Sequence, residues 1–152
     1  MKSYKQILNI FQEAADKHLG VSSFNVGTLD YLDAQSQNIK YPSVFLRPMQ
    51  SQGIVRINTN GTSTRNLTFE MYVLDNVRLE NESPVDIISR LERVGYDLGG
   101  YFNYGPYQQE IELIINNVTP VNEAFMDRLY GWLLNVTIRV AGGYNYCDAP
   151  FQ

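Results

Sequence analysis

The chain has 152 residues, of which 44% are hydrophobic and 18% charged, a composition that suits a single globular domain and argues against disorder. Sixteen acidic residues outnumber 12 lysine and arginine residues, for a net charge of −4, which argues against binding a nucleic acid over a broad basic face. We expect no membrane span and no secretion signal, because no apolar run approaches the ~18 residues of a span and the first residues are mixed polar.

The first predicted element is an amphipathic helix from Tyr4 to Leu19. Its apolar residues recur at steps of three and four, which is the spacing of one helical face. Ser3 is the predicted N-cap, and Gly20 is the predicted left-handed residue at the end of the helix.

A long connection follows the helix. A short strand is predicted within Val21–Gly27, and a polar connection then runs to Tyr41-Pro42, where proline favours extended geometry in the residue before it. Connections of this length within a small domain commonly carry a function. The next predicted strand is Ser43–Arg47.

The segments Gly53–Thr59 and Arg65–Asp75 predict a β-hairpin, for which the sequence offers two registers. A two-residue turn at Asn60-Gly61 would place Arg56 directly opposite Arg65. Like charges in directly opposed positions destabilise a strand pair. We therefore expect a longer polar tip, residues 60–64, which pairs Val55 with Phe69.

A second amphipathic helix is predicted to begin at Ser83-Pro84. Serine is a good N-cap, and proline suits the first helical position. The pair Gly99-Gly100 weakens the end of this helix, and the chain breaks at Gly105, which precedes a proline.

Two strands and a tail complete the chain. The segments Ile111–Ile115 and Trp132–Val140 alternate between apolar and polar residues, which is the period of a strand, and Pro120–Asp127 is predicted to connect them. The glycines at 142 and 143 are expected to form a hinge. We expect one domain over residues 1–141 and an extended arm over residues 142–152.

The predicted element order is α-β-β-β-α-β-β, and its strands are half polar. Half-polar strands are typical of an antiparallel sheet with one solvated face. The sequence therefore predicts an α+β fold, in which an antiparallel sheet of about four to five strands carries two amphipathic helices packed on one face.

Few residues offer catalytic or metal-binding chemistry. His18 and Cys147 are the only residues of their types, which excludes an internal disulfide and a cysteine-based zinc site, and nothing in the sequence brings the two together. Glu110 and Glu112 lie on one strand face by period two and would suit a shared proton or a metal, although a solvated strand edge is the commoner reason for such a pair. We expect a non-enzymatic protein with no catalytic residue, cofactor or metal.

Parts of the chain that reach outward are its most unusual features. They are the long connection, the polar hairpin tip and the aromatic tail, in a chain with 11 tyrosines, a residue that suits protein contact surfaces. Eight residues are predicted to contact other chains: Phe24, Tyr31, Tyr41, Asn60, Gly61, Tyr144, Tyr146 and Phe151.

Several segments resemble a group of virion proteins of tailed bacteriophages. These segments are Phe24–Gly27, Leu29-Asp30, Tyr41–Pro48, Leu67–Asp75, Ser83–Ile88, Glu123–Trp132 and Tyr144–Cys147. On them the chain is similar to neck, ring and tail-completion proteins, which are related in architecture to tail terminators, of phages that include the crAss-like group and other phages of Bacteroidetes.

The resemblance implies a structural building block. Such proteins form closed homo-oligomeric rings, six- or twelve-fold, at the junction of portal and tail, where they contact a portal or adaptor ring protein and a tail protein. DNA passes through the ring without sequence-specific binding. The implied location is the virion neck or tail, and the host cytoplasm during assembly.

Two other functions stay open from the residues alone. One is a small ligand-binding or enzymatic domain that uses Glu110, Glu112 and His18, and the other is a standalone dimeric adaptor. The ring order and the position along the neck are also open, because terminator, neck-ring and tail-adaptor roles look alike in sequence.

Overall fold

The computed structural model describes residues 2–30, 32, 38–48, 51–76, 83–124, 128–143, 147 and 149–151, with the backbone alone for residues 51, 52, 54, 123 and 124. Its elements in chain order are helix α1 (Tyr4–Lys17), strands β1 (Ser23–Val26), β2 (Ser43–Leu46), β3 (Ser51–Ile57) and β4 (Thr62–Asp75), helix α2 (Pro84–Tyr104), and strands β5 (Ile111–Ala124) and β6 (Leu129–Gly143). The fold is α+β, as predicted.

The sheet is mixed, so the prediction of an antiparallel sheet of four to five strands is wrong. The described residues form six strands. Five follow the order β1-β2-β4-β6-β5, and β3 pairs with β4 on the same side as β2, further along β4. β1 and β2 run parallel, and the other pairs are antiparallel. The connection 27–42 is long enough for the crossover that parallel neighbours need. β1 is the short strand predicted within Val21–Gly27, so four strands precede α2 where the predicted order has three, and the observed order is α-β-β-β-β-α-β-β.

Both helices cover the same face of the sheet, as predicted. The ring of Phe11 in α1 lies 5.3 Å from that of Phe69 in β4 and 4.7 Å from that of Phe102 in α2, measured between centroids. All three side chains are buried at 2% exposure or less. They join α1, α2 and the central strand in one core, which the apolar stripes of the two helices anticipate.

The two predicted N-caps are confirmed. Ser3 and Ser83 each form a capping box, in which the serine hydroxyl accepts from the N–H three positions later and the side chain of that later residue accepts from the serine N–H. The predicted end of α1 is wrong, because the helix stops at Lys17 and Gly20 does not have a positive φ. Instead, the main-chain N–H of Gly20 donates to Nδ1 of His18 at 2.9 Å, so the helix end is closed without a left-handed residue.

The Gly99-Gly100 pair lies inside α2, which continues to Tyr104. A Cβ on Gly99 would lie 3.3 Å from Leu113 of β5, so this glycine lets the helix approach the sheet closely. Packing against β5 therefore outweighs the low helix propensity of glycine. The predicted break at Gly105 is confirmed, since this residue is the C-cap.

The last two strands are longer than their alternating patterns predict. The segment from Pro120 to 124, predicted as a connector, is the end of β5, and residues 125–127 lie outside the described residues. β6 includes Gly142 and Gly143, which pair with Ser63 and Thr62 of β4. These glycines are therefore strand residues rather than a hinge, because the long β4 offers its main-chain groups to them.

The observed hairpin differs from the predicted one. Val55 lies opposite Arg65 rather than Phe69, and the loop is short, with Asn58 N–H donating to the carbonyl of Thr62 at 2.8 Å. Gly61 has a φ of +85°, as expected for the left-handed residue that ends a three-residue loop. An irregularity between residues 52 and 55 of β3 shifts the register. The two arginines therefore do not face each other, and the reason for expecting a long tip does not apply.

A second, smaller core lies on the other face of the sheet. Its buried residues are Leu32, Tyr41, Phe45, Tyr72, Leu74 and Leu129. The connection between β1 and β2 supplies the first two and covers this end of the face, next to a cis peptide bond between Tyr41 and Pro42.

Candidate functional site

The two acids of the candidate ligand site pair with different bases. A Glu110 carboxylate oxygen lies 3.2 Å from Lys2 Nζ, and a Glu112 carboxylate oxygen lies 3.3 Å from an Arg139 nitrogen. Both carboxylates are more than half exposed. Among the described residues, no three His, Cys, Asp or Glu side chains are grouped as metal ligands. The geometry of Glu110 and Glu112 is that of two surface ion pairs.

His18 connects the end of α1 to α2. Its Nε2 lies 3.0 Å from a carboxylate oxygen of Asp97, and its Nδ1 accepts a hydrogen bond from Gly20. Because Nδ1 is an acceptor, the ring proton belongs on Nε2, where it is donated to Asp97. This hydrogen bond lowers the pKa of the Asp97 carboxyl. Nε2 of His18 thus links the end of α1 to α2, and Nδ1 holds the chain just after α1.

A second polar group fastens α1 to α2 at the protein surface. Glu13 accepts hydrogen bonds from the hydroxyl of Tyr107 at 2.7 Å and from Nζ of Lys17 at 3.0 Å, and Lys17 also donates to the hydroxyl of Tyr101 at 3.4 Å. The bonds from Tyr107 and Lys17 lower the pKa of Glu13, and the bond to Glu13 raises the pKa of the Tyr107 hydroxyl. These hydrogen bonds link α1 to α2 and to the residues just after it, which is a structural role.

Asp75 is the most deeply buried carboxylate among the described residues. Its side chain is 5% exposed and accepts a hydrogen bond from Arg90 at 2.8 Å. This pair joins the end of β4 to α2. It has a structural explanation, since a buried carboxylate is stable only when it is paired and hydrogen-bonded.

The uncovered part of the sheet is a polar surface. Rows of paired residues cross it, such as Thr68 beside Thr137 and Asn66 beside Arg139. A shallow hollow of about 320 Å³ lies at one end, lined by Arg56, Thr64, Asn66 and Arg139. Its described lining residues are two arginines, a threonine and an asparagine, so the hollow presents hydrogen-bonding groups and positive charge.

The hairpin β3–β4 projects apolar side chains into solvent. Val55 is 43% exposed and Ile57 is 60% exposed, and both lie on the side of the sheet that carries the helices, because they face Arg65 and Ser63 of β4. These two exposed apolar side chains make the hairpin a candidate contact surface. The alternation of Val55 and Ile57 in the sequence indicates this face, but the predicted sites include only the tip.

Four of the eight predicted contact residues have described positions outside the arm. Tyr41 is 3% exposed and belongs to the smaller core, and Phe24 is partly buried and packs against the main core. Asn60 and Gly61 lie exposed at the hairpin tip, where Asn60 Oδ1 accepts a hydrogen bond from Thr62 N–H at 3.1 Å.

Of the predicted contact residues in the aromatic arm, the structure describes Phe151. Phe151 is 70% exposed. Tyr31, Tyr144 and Tyr146 lie outside the described residues.

No protein-family model matches this chain, and no curated protein sequence matches it. Within the described part of the chain, every helix is too short or too polar to cross a membrane.

Proposed function

We propose that this chain is a structural virion protein that assembles with copies of itself into a ring at the neck or upper tail of a tailed phage. Its partners are the portal or adaptor ring on one side and a tail protein on the other. The observation that carries the proposal is the exposure of Val55 and Ile57 on the hairpin β3–β4. These apolar side chains could be buried by contact with another subunit. The resemblance of the segments Leu67–Asp75 and Glu123–Trp132 to neck and tail-completion proteins supports it.

Charge is consistent with a ring around a DNA channel. The chain has a net charge of −4, and like charge keeps DNA from adhering to the wall of a conduit. Ion pairs already engage several of its cations, including Arg90, Arg93 and Arg139. A ring of this kind passes DNA without reading its sequence.

The test is the assembly state of the full chain. Native mass spectrometry and negative-stain microscopy, on the chain alone and with the portal protein of the same phage, are expected to show a closed ring of six or twelve subunits. A chain that stays monomeric or dimeric under both conditions would contradict the proposal.

A metal titration tests the alternative of a ligand-binding or enzymatic domain. We expect Mg²⁺, Mn²⁺ and Zn²⁺ to leave the calorimetric signal at baseline in the wild type and in the double variant Glu110→Gln, Glu112→Gln. Binding in the wild type that is lost in the variant would favour the alternative, because the two carboxylates are the atoms it requires.

A further inference from the structure

The sheet is one strand wider at one end than at the other. β2 lies beside Met71–Leu74 of β4, and β3 lies on the same side of β4, beside Ser63–Thr68. β1 lies outside β2, but no described strand lies outside β3. β1 ends at Val26, and the next residue, Gly27, donates its N–H to the carbonyl of Leu46 at 3.1 Å. Among the described residues, the outer edge of β3 is therefore unpaired, and β1 does not extend along it.

The other edge of the sheet, β5, is protected. The side chain of Asn103 hydrogen bonds to both main-chain groups of Leu113, as an added strand would. An irregularity follows between Ile115 and Asn117, and Pro120 has no N–H to offer. Such caps, bulges and prolines are the devices by which edge strands avoid pairing with other chains.

The edge of β3 has little of this protection. After its irregularity, residues 55–57 form a regular stretch without proline, and no described side chain bonds to their main-chain groups. Val55 and Ile57 are exposed on one side of it, and β-branched residues pack well against a neighbouring strand. The described part of the chain thus blocks the edge of β5 and leaves unpaired the edge of β3, which carries exposed apolar groups.

We propose that an extended segment of a second copy of this chain pairs with the outer edge of β3, which makes the sheets of neighbouring subunits continuous. Arg56 has no ion-pair partner among the described residues, and the copy that it would meet is acidic, with a net charge of −4. A ring closes only through contacts between unlike surfaces, so the segment that pairs with β3 comes from a part of the second copy other than its own β3. The inference rests on the proposed ring and identifies its interface.

The experiment compares variants of the full chain by native mass spectrometry over a range of concentrations. The double variant Val55→Lys, Ile57→Lys places charges on the unpaired edge, and Leu19→Lys is the control, since Leu19 is a fully exposed apolar residue just after α1. We expect the double variant to raise the concentration for half-assembly by at least ~10-fold, with the control and the circular dichroism spectra unchanged.

Hydrogen exchange gives a second readout that does not depend on a variant. The amides of Val55 and Ile57, whose N–H groups point away from β4, are expected to exchange at least ~10-fold more slowly in the assembled wild type than in the monomer, while those of residues 115–119 in β5 keep their rates. Equal rates at Val55 and Ile57, or a double variant that assembles like the wild type, would overturn the proposal.

The outcomes separate this inference from the proposed function. A wild-type ring that the double variant still forms refutes the β3 interface and leaves the ring standing. A wild-type dimer that the double variant abolishes supports the interface and refutes the ring. The wild type could also stay monomeric, with slower hydrogen exchange at Val55 and Ile57 only when a portal or tail protein is added. That result would refute a second copy of the chain as the partner of β3.

Discussion

Trp132 of β6 donates a hydrogen bond from its indole Nε1 to the main-chain carbonyl of Ile88 in α2, at 2.7 Å. The two residues are 44 positions apart in the chain. The bond ties the first turns of α2 to the sheet through a polar contact, in addition to the apolar packing of Ile87 and Leu91. The orientation of α2 on the sheet therefore depends in part on one side chain.

Trp132→Phe is expected to lower the free energy of unfolding by about 1 kcal/mol, because it removes this hydrogen bond and keeps an aromatic ring. Urea denaturation followed by circular dichroism measures the change. Tyr104→Phe is the control, since Tyr104 is 86% exposed and should be neutral. Equal stabilities of the two variants would show that the bond to Ile88 contributes nothing.

Asn103→Ala should have two effects, because Asn103 bonds to both main-chain groups of Leu113. We expect a loss of about 1–3 kcal/mol in unfolding free energy and a greater tendency to aggregate through the uncapped edge of β5. Denaturation and light scattering measure the two effects. Asn9→Ala, at an exposed position of α1, is the control, and aggregation equal to that of this control would refute the capping role.

Two glycines of α2 form a matched pair. A Cβ on Gly100 meets no atom within 4 Å, whereas a Cβ on Gly95 would lie 3.1 Å from buried Leu134. Gly100→Ala is expected to stabilise the protein by about 0.5–1 kcal/mol through helix propensity. Gly95→Ala should lack this gain, because Leu134 has little room to move. Thermal unfolding of both variants tests the difference, and an equal gain in both would contradict the close packing of Gly95.

Acid should weaken the link between α1 and α2. The hydrogen bond with His18 lowers the pKa of Asp97 below its ordinary 3.8, and those from Tyr107 and Lys17 lower the pKa of Glu13 below 4.5. Because these values are lower in the folded state, the carboxylates stabilise it above their ordinary pKa values, and this contribution is lost as the pH falls through the folded values.

The double variant Asp97→Asn, Glu13→Gln should therefore lose less stability than the wild type as the pH falls from about 5 to about 2.5. Chemical denaturation at a series of pH values measures this. The wild type and the variant should differ most near neutral pH and converge in acid. If the unfolding free energies of the wild type and the variant fall in parallel with pH, the two carboxylates do not contribute to the loss of stability in acid.

The parts of the fold that depend on near neighbours in the chain are predictable from the sequence. The helix caps at Ser3 and Ser83 and the break at Gly105 are examples, because a cap is decided by residues three or four positions apart. The alternation in Trp132–Val140 likewise predicts a strand. The α+β class follows from the order of such elements.

Longer-range features need the tertiary structure. Gly99 remains helical because α2 packs against Leu113, and Gly142 joins β6 because a distant segment of β4 pairs with it. The parallel pairing of β1 with β2 has no local signature, and the hairpin register depends on an irregularity in β3.

The candidate interface divides in the same way. A tight turn depends on residues next to each other in the chain, so the exposed hairpin tip at Asn60 and Gly61 can be predicted from the sequence. Whether Tyr41 is a contact residue or part of a core, and whether an edge strand is capped by a side chain such as Asn103, depends on segments that lie far apart along the chain. These outcomes are decided by burial and by main-chain pairing, which exist only once the sheet has formed.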